Sequence, residues 1–195
     1  MVNLSDIEAA VSCVDQDNVG GTTRKLIFGY WDDVASFPDF PECSESSSIT
    51  LDAAGKLDGD LTMKTGKRAY VMDFTDETGE FTMTEQGEQG GLSVLMQLDI
   101  VRAKINTVIL GFMNATRGRD MFFIVQDRNG NHYLMGDKVV AAKRIAADAV
   151  TTGKAAADLN KVPMRFTYTC PRALIYEGDV TNILTEAKAS VGPGG

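Results

Sequence analysis

The sequence predicts a mainly β protein of the α+β class, a β-sandwich or barrel of short antiparallel strands with one flanking α-helix. Three observations predict it. Apolar residues recur at every second position in several segments, turn residues separate those segments, and one segment changes to the spacing of a helix. With 195 residues, 44% of them hydrophobic and 24% charged, the chain is long enough to bury a sizeable core. It reads as a single domain over 1–195, with an N-terminal arm at 1–23, a surface loop at 36–48 and a flexible C-terminal tail at 186–195. A doubly wound α/β fold would need several helices alternating with strands, and only one strong helix is visible.

Met1 to Cys13 offers Ser5 or Asp6 as a helix cap with Ile7, Ala10 and Val11 on one side, a segment too short to stand alone. Gly20-Gly21 breaks the chain, and Arg24 to Trp31 reads as a strand with Leu26, Phe28 and Tyr30 on one face. Ser36 to Ser48, with Pro38, Pro41 and several serines, has the chemistry of an irregular loop. Leu57, Leu61 and Met63, then Tyr70, Met72 and Phe74, define two strands expected to pair as a hairpin about Thr65-Gly66. Asp76-Glu77-Thr78-Gly79 is a second turn, after which Phe81 and Met83 alternate with Thr82 and Thr84 until Gly87, Gly90 and Gly91 interrupt the strand.

The period then switches. Leu92, Val94, Met96, Leu98 and Ile100 keep a strand face, whereas Ile105, Val108, Ile109 and Phe112 keep a helix stripe. Strand should give way to helix near Arg102, and the helix should end near Gly118, with Arg117 and Arg119 suiting its negative end. Met121 to Val125 is a solid apolar run, followed by Asp127-Arg128-Asn129-Gly130 and by His132 to Met135. This is a hairpin signal, because Asn and Gly both accept positive φ. Lys138 to Val150 is ambiguous, since its alanines favour helix while Thr151-Thr152-Gly153 ends it as a loop. Met164, Phe166, Tyr168 and Cys170 alternate as a half-buried strand that stops at Pro171. The count comes to about seven or eight strands and one helix.

The net charge of −8, from 27 acidic and 19 basic residues, argues against a surface that clamps nucleic-acid phosphates. Three small basic groups, Lys64/Lys67/Arg68, Arg117/Arg119 and Lys143/Arg144, read as scattered solubilising charge. No apolar run has the roughly 20 residues a spanning helix needs, and Met1 to Ala10 lacks the layout of a secretion signal, so a soluble protein made in the cytoplasm is expected. Cys13, Cys43 and Cys170 exclude a full disulfide framework and read as reduced thiols, with any pairing left open.

Candidate chemistry is sparse. His132, the single histidine, follows a turn and reads as a surface imidazole, and no serine is framed as a nucleophile elbow. The cysteine spacings match no zinc site. Gly20-Gly21-Thr22-Thr23 leads into a strand instead of a helix, and Gly87-Glu88-Gln89-Gly90-Gly91 carries a carboxylate that would repel phosphate. Asp52, Asp58, Asp60, Asp73, Asp76, Glu77, Glu80, Glu85 and Glu88 read as a solvated sheet face, and Asp58-Gly59-Asp60 lacks the twelfth-position acid of a calcium loop, Ala69 standing there. The expectation is no enzyme, with no catalytic, cofactor-binding or metal-ligating residue, and a function carried by surfaces and self-association. The rival class is a small-ligand-binding β-barrel, or an enzyme resting on His132.

Two sets of residues resemble a known family. Cys13, Asn18-Val19-Gly20-Gly21, the strand Arg24 to Tyr30 and Asp32-Asp33-Val34 are similar to the opening of tail tube and related virion proteins from phages of Bacteroidetes-type hosts. Phe122 to Asp127 with Asn129-Gly130, Tyr133-Leu134-Met135-Gly136, Thr151-Thr152-Gly153-Lys154 and Asp158-Leu159-Asn160 resemble the major tail tube pattern of long-tailed phages. The resemblance covers about three quarters of the chain in element order. It implies a tube-like domain whose copies form sixfold rings stacked into a hollow tube in the virion tail, assembled in the host cytoplasm with other tail proteins. It also implies that Lys138 to Val150 is a strand paired with Val162 to Cys170. DNA would transit without specific binding past an acidic wall, for which Asp73, Thr75, Thr82, Thr84 and Glu85 are candidates. A collar, tail terminator or decoration protein is the alternative within the virion.

Overall fold

In the computed structural model, residues 18–42 and 49–185 are described. The expected helix at Met1 to Cys13, Cys43 and the tail 186–195 lie outside them. In chain order the strands are β1 (Thr22–Tyr30), β2 (Val34–Ser36), β3 (Lys56–Leu57), β4 (Thr62–Met63), β5 (Tyr70–Asp73), β6 (Glu80–Gln86), β7 (Ser93–Ala103), β8 (Met121–Asp127), β9 (His132–Met135), β10 (Lys143–Ile145), β11 (Lys161–Cys170) and β12 (Ile175–Tyr176). The helices are α1 (Leu51–Ala54) and α2 (Thr107–Ala115), and a 3-10 turn spans Trp31–Asp33. The predicted mainly β, α+β class holds, although the strands are more numerous and several are only two residues long.

A six-stranded sheet in the order β3-β12-β9-β8-β1-β5 packs on a four-stranded sheet in the order β10-β11-β7-β6, and β2 and β4 form a small third sheet. The alternation in β7 and β11 places Val94, Met96, Leu98 and Ile100 opposite Met164, Phe166, Tyr168 and Cys170 in one buried layer. Their partners across the sandwich are Leu26 of β1 and Met121, Phe123 and Val125 of β8, with the Phe123 and Phe166 ring centroids 4.3 Å apart. Burial of each such side chain contributes about 2 kcal/mol.

The solid run in β8 has a separate cause. Phe122 and Ile124 point to the opposite face, into a second core with Val34, Leu61, Met63, Leu134 and Tyr176. Both faces of β8 are therefore covered, and both sets of side chains must be apolar. β8 runs across the strands of the second sheet. Met121 bridges Ala142 just before β10, while Asp127 at the other end lines a cleft shared with Phe81 and Met83 of β6.

Four local readings change. β4 pairs with β2, and β5 with β1, so the expected hairpin about Thr65-Gly66 does not form. Met63 belongs to the second core, whereas Phe74, just beyond β5, belongs to the first. Leu92 and Val108 are exposed, because Leu92 sits in the turn before β7 and the helix buries only Ile109 fully. The switch from strand to helix near Arg102 holds, with strand ending at Ala103, but the helix ends at Thr116, earlier than Gly118, with Asn106 as its cap accepting from the Ile109 amide at 2.9 Å. At the β8–β9 turn only Gly130 has positive φ, and Gly130 N–H donates to the Asp127 carbonyl at 3.3 Å, a three-residue turn.

Lys138 to Val150 is not helical. Lys143–Ile145 pairs with Thr167 to Arg165 of β11, and most of the rest is irregular. The polar stretch after Ser36 is partly anchored, since Phe37 and Phe40 pack against the cores and Phe37 stacks on Trp31. Among the described residues no helix is long and apolar enough to cross a membrane.

Candidate functional site

β6 is the edge of the four-stranded sheet. Glu80 to Gln86 pair in unbroken register with Asp99 to Ser93, and no described strand lies on the other side. An open strand edge presents unpaired N–H and C=O groups, which natural sheets blunt with charged side chains, lysine above all, or with proline or a bulge. The segment Glu80-Phe81-Thr82-Met83-Thr84-Glu85-Gln86 contains no lysine, proline or bulge, and its only charges are the exposed Glu80 and Glu85. Phe81 holds the strand down by stacking on Tyr133, centroids 4.6 Å apart, while the other six side chains are exposed.

The candidate wall residues do not share one face. Thr82 and Thr84 pair with Gln97 and Leu95 and point away from the core, whereas Glu85 pairs with Val94 on the core-facing side. Asp73 lies on β5 in the other sheet, opposite Lys25. Thr75 accepts a hydrogen bond from the Ala103 amide at 2.9 Å and helps tie the two sheets together. The outward face of the four-stranded sheet instead gathers Glu80, Thr82 and Thr84 beside Asp99, which pairs with Arg165 at 2.6 Å and accepts from Gln97 at 2.6 Å.

His132 sits in β9 and is partly buried, and its imidazole makes no hydrogen bond among the described residues. Burial lowers its pKa against the opposing pull of Asp127. The Asp127 carboxylate is already used by the turn, accepting from Asn131 N–H at 2.8 Å, Asn131 Nδ2 at 2.9 Å and Tyr133 Oη at 3.0 Å. Burial would raise its pKa, yet these bonds hold it below the usual carboxylate range. Among the described residues no group of three His, Cys, Asp or Glu could hold a metal ion. Asp58 caps Gly59 N–H at 2.8 Å and Asp60 accepts from Asp179 N–H at 2.8 Å, so this acidic pair organises turns.

Sequence reasoning missed Asp137. Its buried carboxylate accepts from the Val139 and Val140 amides at 2.6 Å each and from Tyr168 Oη at 2.5 Å, and its carbonyl accepts from Trp31 Nε1 at 2.7 Å. Burial, then this hydrogen bond, raises the Tyr168 phenol far above its ordinary value. Cys170 is a free, buried thiol whose pKa burial pushes up to about 11. The only hint was a charged residue beside Gly136 after an apolar strand.

An open cleft of about 670 Å³ lies where β1, the β4–β5 connection and the end of α2 meet. Tyr30, Tyr70, Lys67 and Arg119 line it together with Asp32, Asp33 and Asp120. Between the sheets, by contrast, an interior cavity measures about 10 Å³, room for roughly one water. Searches against protein families, curated proteins and solved structures found no match to this chain.

Proposed function

We propose that this chain is a structural virion protein, a tail tube subunit of a long-tailed phage, whose copies join into stacked rings around a hollow conduit for DNA. The observation that carries the reading is the open β6 edge: seven residues without lysine, proline or bulge, in a position where another chain's backbone can add to the sheet. Among the described residues the cavity between the sheets has room for about one water, which argues against a ligand held there. The resemblance in the turn residues around Asn18-Val19-Gly20-Gly21 and Asn129-Gly130 points the same way. Val19 N–H donates to Asn129 Oδ1 at 2.9 Å, so these two signatures form one structural unit. Within this reading the conduit wall is the outward face bearing Glu80, Thr82, Thr84 and the Asp99–Arg165 ion pair, and the exposed Glu80 carboxylate keeps passing DNA from sticking.

The test is electron microscopy and sedimentation of the purified full chain over rising concentration. Rings or filaments are expected, and a monomer at every concentration overturns the reading. Closed rings that never stack would move the assignment to a collar or terminator. Proline placed in turn at Met83 and at Thr84 separates edge pairing from folding, because neighbouring amides of a strand point to opposite sides. One of the two variants should keep the wild-type unfolding midpoint and lose assembly.

A further inference from the structure

The chain enters the fold beside the exposed β6 edge. Asn18 and Val19 form one wall of a cleft of about 400 Å³, and Phe81 and Met83 of β6 form another. The entry point is pinned on both sides of the backbone. Val19 N–H donates to Asn129 Oδ1 at 2.9 Å, and Asn129 Nδ2 donates to Asn18 Oδ1 at 3.3 Å. Val19 is 48% and Met83 39% exposed, two apolar side chains that water covers at the mouth of one cleft. Natural sheets also blunt an edge by laying another part of the chain over it, and β6 has no such cover among the described residues.

The sequence before Asn18 supplies a matching segment. Ile7, Ala9, Val11 and Cys13 stand at alternate positions, separated by Glu8, Ala10 and Ser12, in a run without lysine, arginine, proline or glycine. A period of two gives such a run one apolar face and one small, mostly polar face. Against β6, the first face covers Phe81 and Met83 on the cleft side, and the second lies with Thr82 and Thr84 on the outward side. The helix stripe Ile7, Ala10 and Val11 uses the same residues, but a helix leaves the edge N–H and C=O groups of β6 unpaired, whereas a strand pairs them. Val14 to Asp17 join this run to Asn18. The five steps from Cys13 to Asn18 reach up to about 17 Å, enough to return from the edge to the cleft.

We infer that residues 7–13 add to the β6 edge of their own chain in the single subunit, and hold it until the backbone of a neighbouring copy takes their place. The tether selects this occupant over a free one. A segment joined through a short linker is present at an effective concentration of about a millimolar, which a neighbour in dilute solution does not reach. The edge therefore stays covered at low subunit concentration, and at high concentration the neighbour's strand replaces the cover bond for bond. The occupancy follows from the cleft, the edge and the chain's point of entry. Its role as a brake on assembly rests on the self-assembly reading above.

Amide hydrogen exchange of the full chain, followed residue by residue by NMR where sedimentation shows a monomer, reads the edge directly. Alternate amides of β6 point away from β7, and on a bare edge they exchange freely. In the wild-type monomer these outward amides should be protected about tenfold or more, unchanged on dilution. The double variant A10P/V11P should lose that protection, and I7S/V11S should lower it, while the amides paired with β7 stay protected in both and verify the fold. Outward amides that exchange freely in the wild-type monomer overturn the inference. Protection that appears only as concentration rises overturns it too, because it belongs to a neighbour. In sedimentation velocity both variants should associate at a concentration lower than wild type by about threefold or more. Loss of association in them overturns the inference, since it makes the segment a link between copies. A wild-type chain that never associates overturns the tube reading instead, and exchange in the monomer still decides whether the edge is covered.

Discussion

Replacing Asp137 by alanine tests whether the buried carboxylate organises the turn after β9. The substitution removes the acceptor for the Val139 and Val140 amides and for Tyr168 Oη. Tyr168 is 4% exposed, so its hydroxyl is left without a partner in the core, which costs about 1–3 kcal/mol. The two amides lie in a turn that water can partly reach and add about 1–2 kcal/mol together. The expected total is about 2–5 kcal/mol. Tyr168→Phe removes only one bond and leaves the two amides satisfied, for about 1.5–3 kcal/mol. Since the variants share that bond, the double variant should fall short of the sum by about 1–3 kcal/mol. Urea unfolding followed by the single tryptophan, Trp31, whose indole donates to the Asp137 carbonyl, reads all three. A loss below 1 kcal/mol for Asp137→Ala, or strict additivity, would refute the reasoning.

Two neighbouring positions should respond in opposite directions. Thr22 Oγ1 is buried without a hydrogen-bond partner, so Thr22→Val should stabilise by about 1 kcal/mol in urea titration. Gly79→Ala should destabilise by about 1–3 kcal/mol, because its Cβ would lie 2.1 Å from Thr22 Oγ1 and 2.6 Å from the Phe74 ring; a neutral result would mean that the β5–β6 crossover is loose. Alkali should weaken the fold through Cys170. Its folded pKa is raised, so its contribution is complete below pH 9 and is lost as pH rises through about 11. Stability should therefore fall across pH 9–11, and Cys170→Ala should flatten that slope relative to wild type. An unchanged slope would show that the thiol does not titrate against burial.

Much of the sheet content was legible because it is encoded at neighbouring positions. Val94, Met96, Leu98 and Ile100, and Met164 to Cys170, alternate because each strand has one buried face, and a period of two survives without knowledge of the partner. The β8–β9 hairpin was legible from Asn129-Gly130 for the same reason, although its turn type depended on the Asp127 and Asn131 hydrogen bonds. Partner choice was not legible. Met63 and Phe74 have the same apolar character, and only their separate cores decide that β4 joins β2 while β5 joins β1.

The charge distribution shows the same division. The sequence by itself determined an acidic chain, its alternating strands, the mainly β class and the stretch from Ala69 to Val101 that holds no Lys, Arg or His. Only the tertiary structure decided that Lys67, Arg119 and Lys143 gather at one cleft, that Thr82 and Glu85 face opposite ways, and that β6 is left as an edge. The physical reason is range. Backbone propensity and side-chain period act between residues a few positions apart, whereas cores, edges and charge clusters arise from segments tens of residues apart whose apolar faces must be buried together.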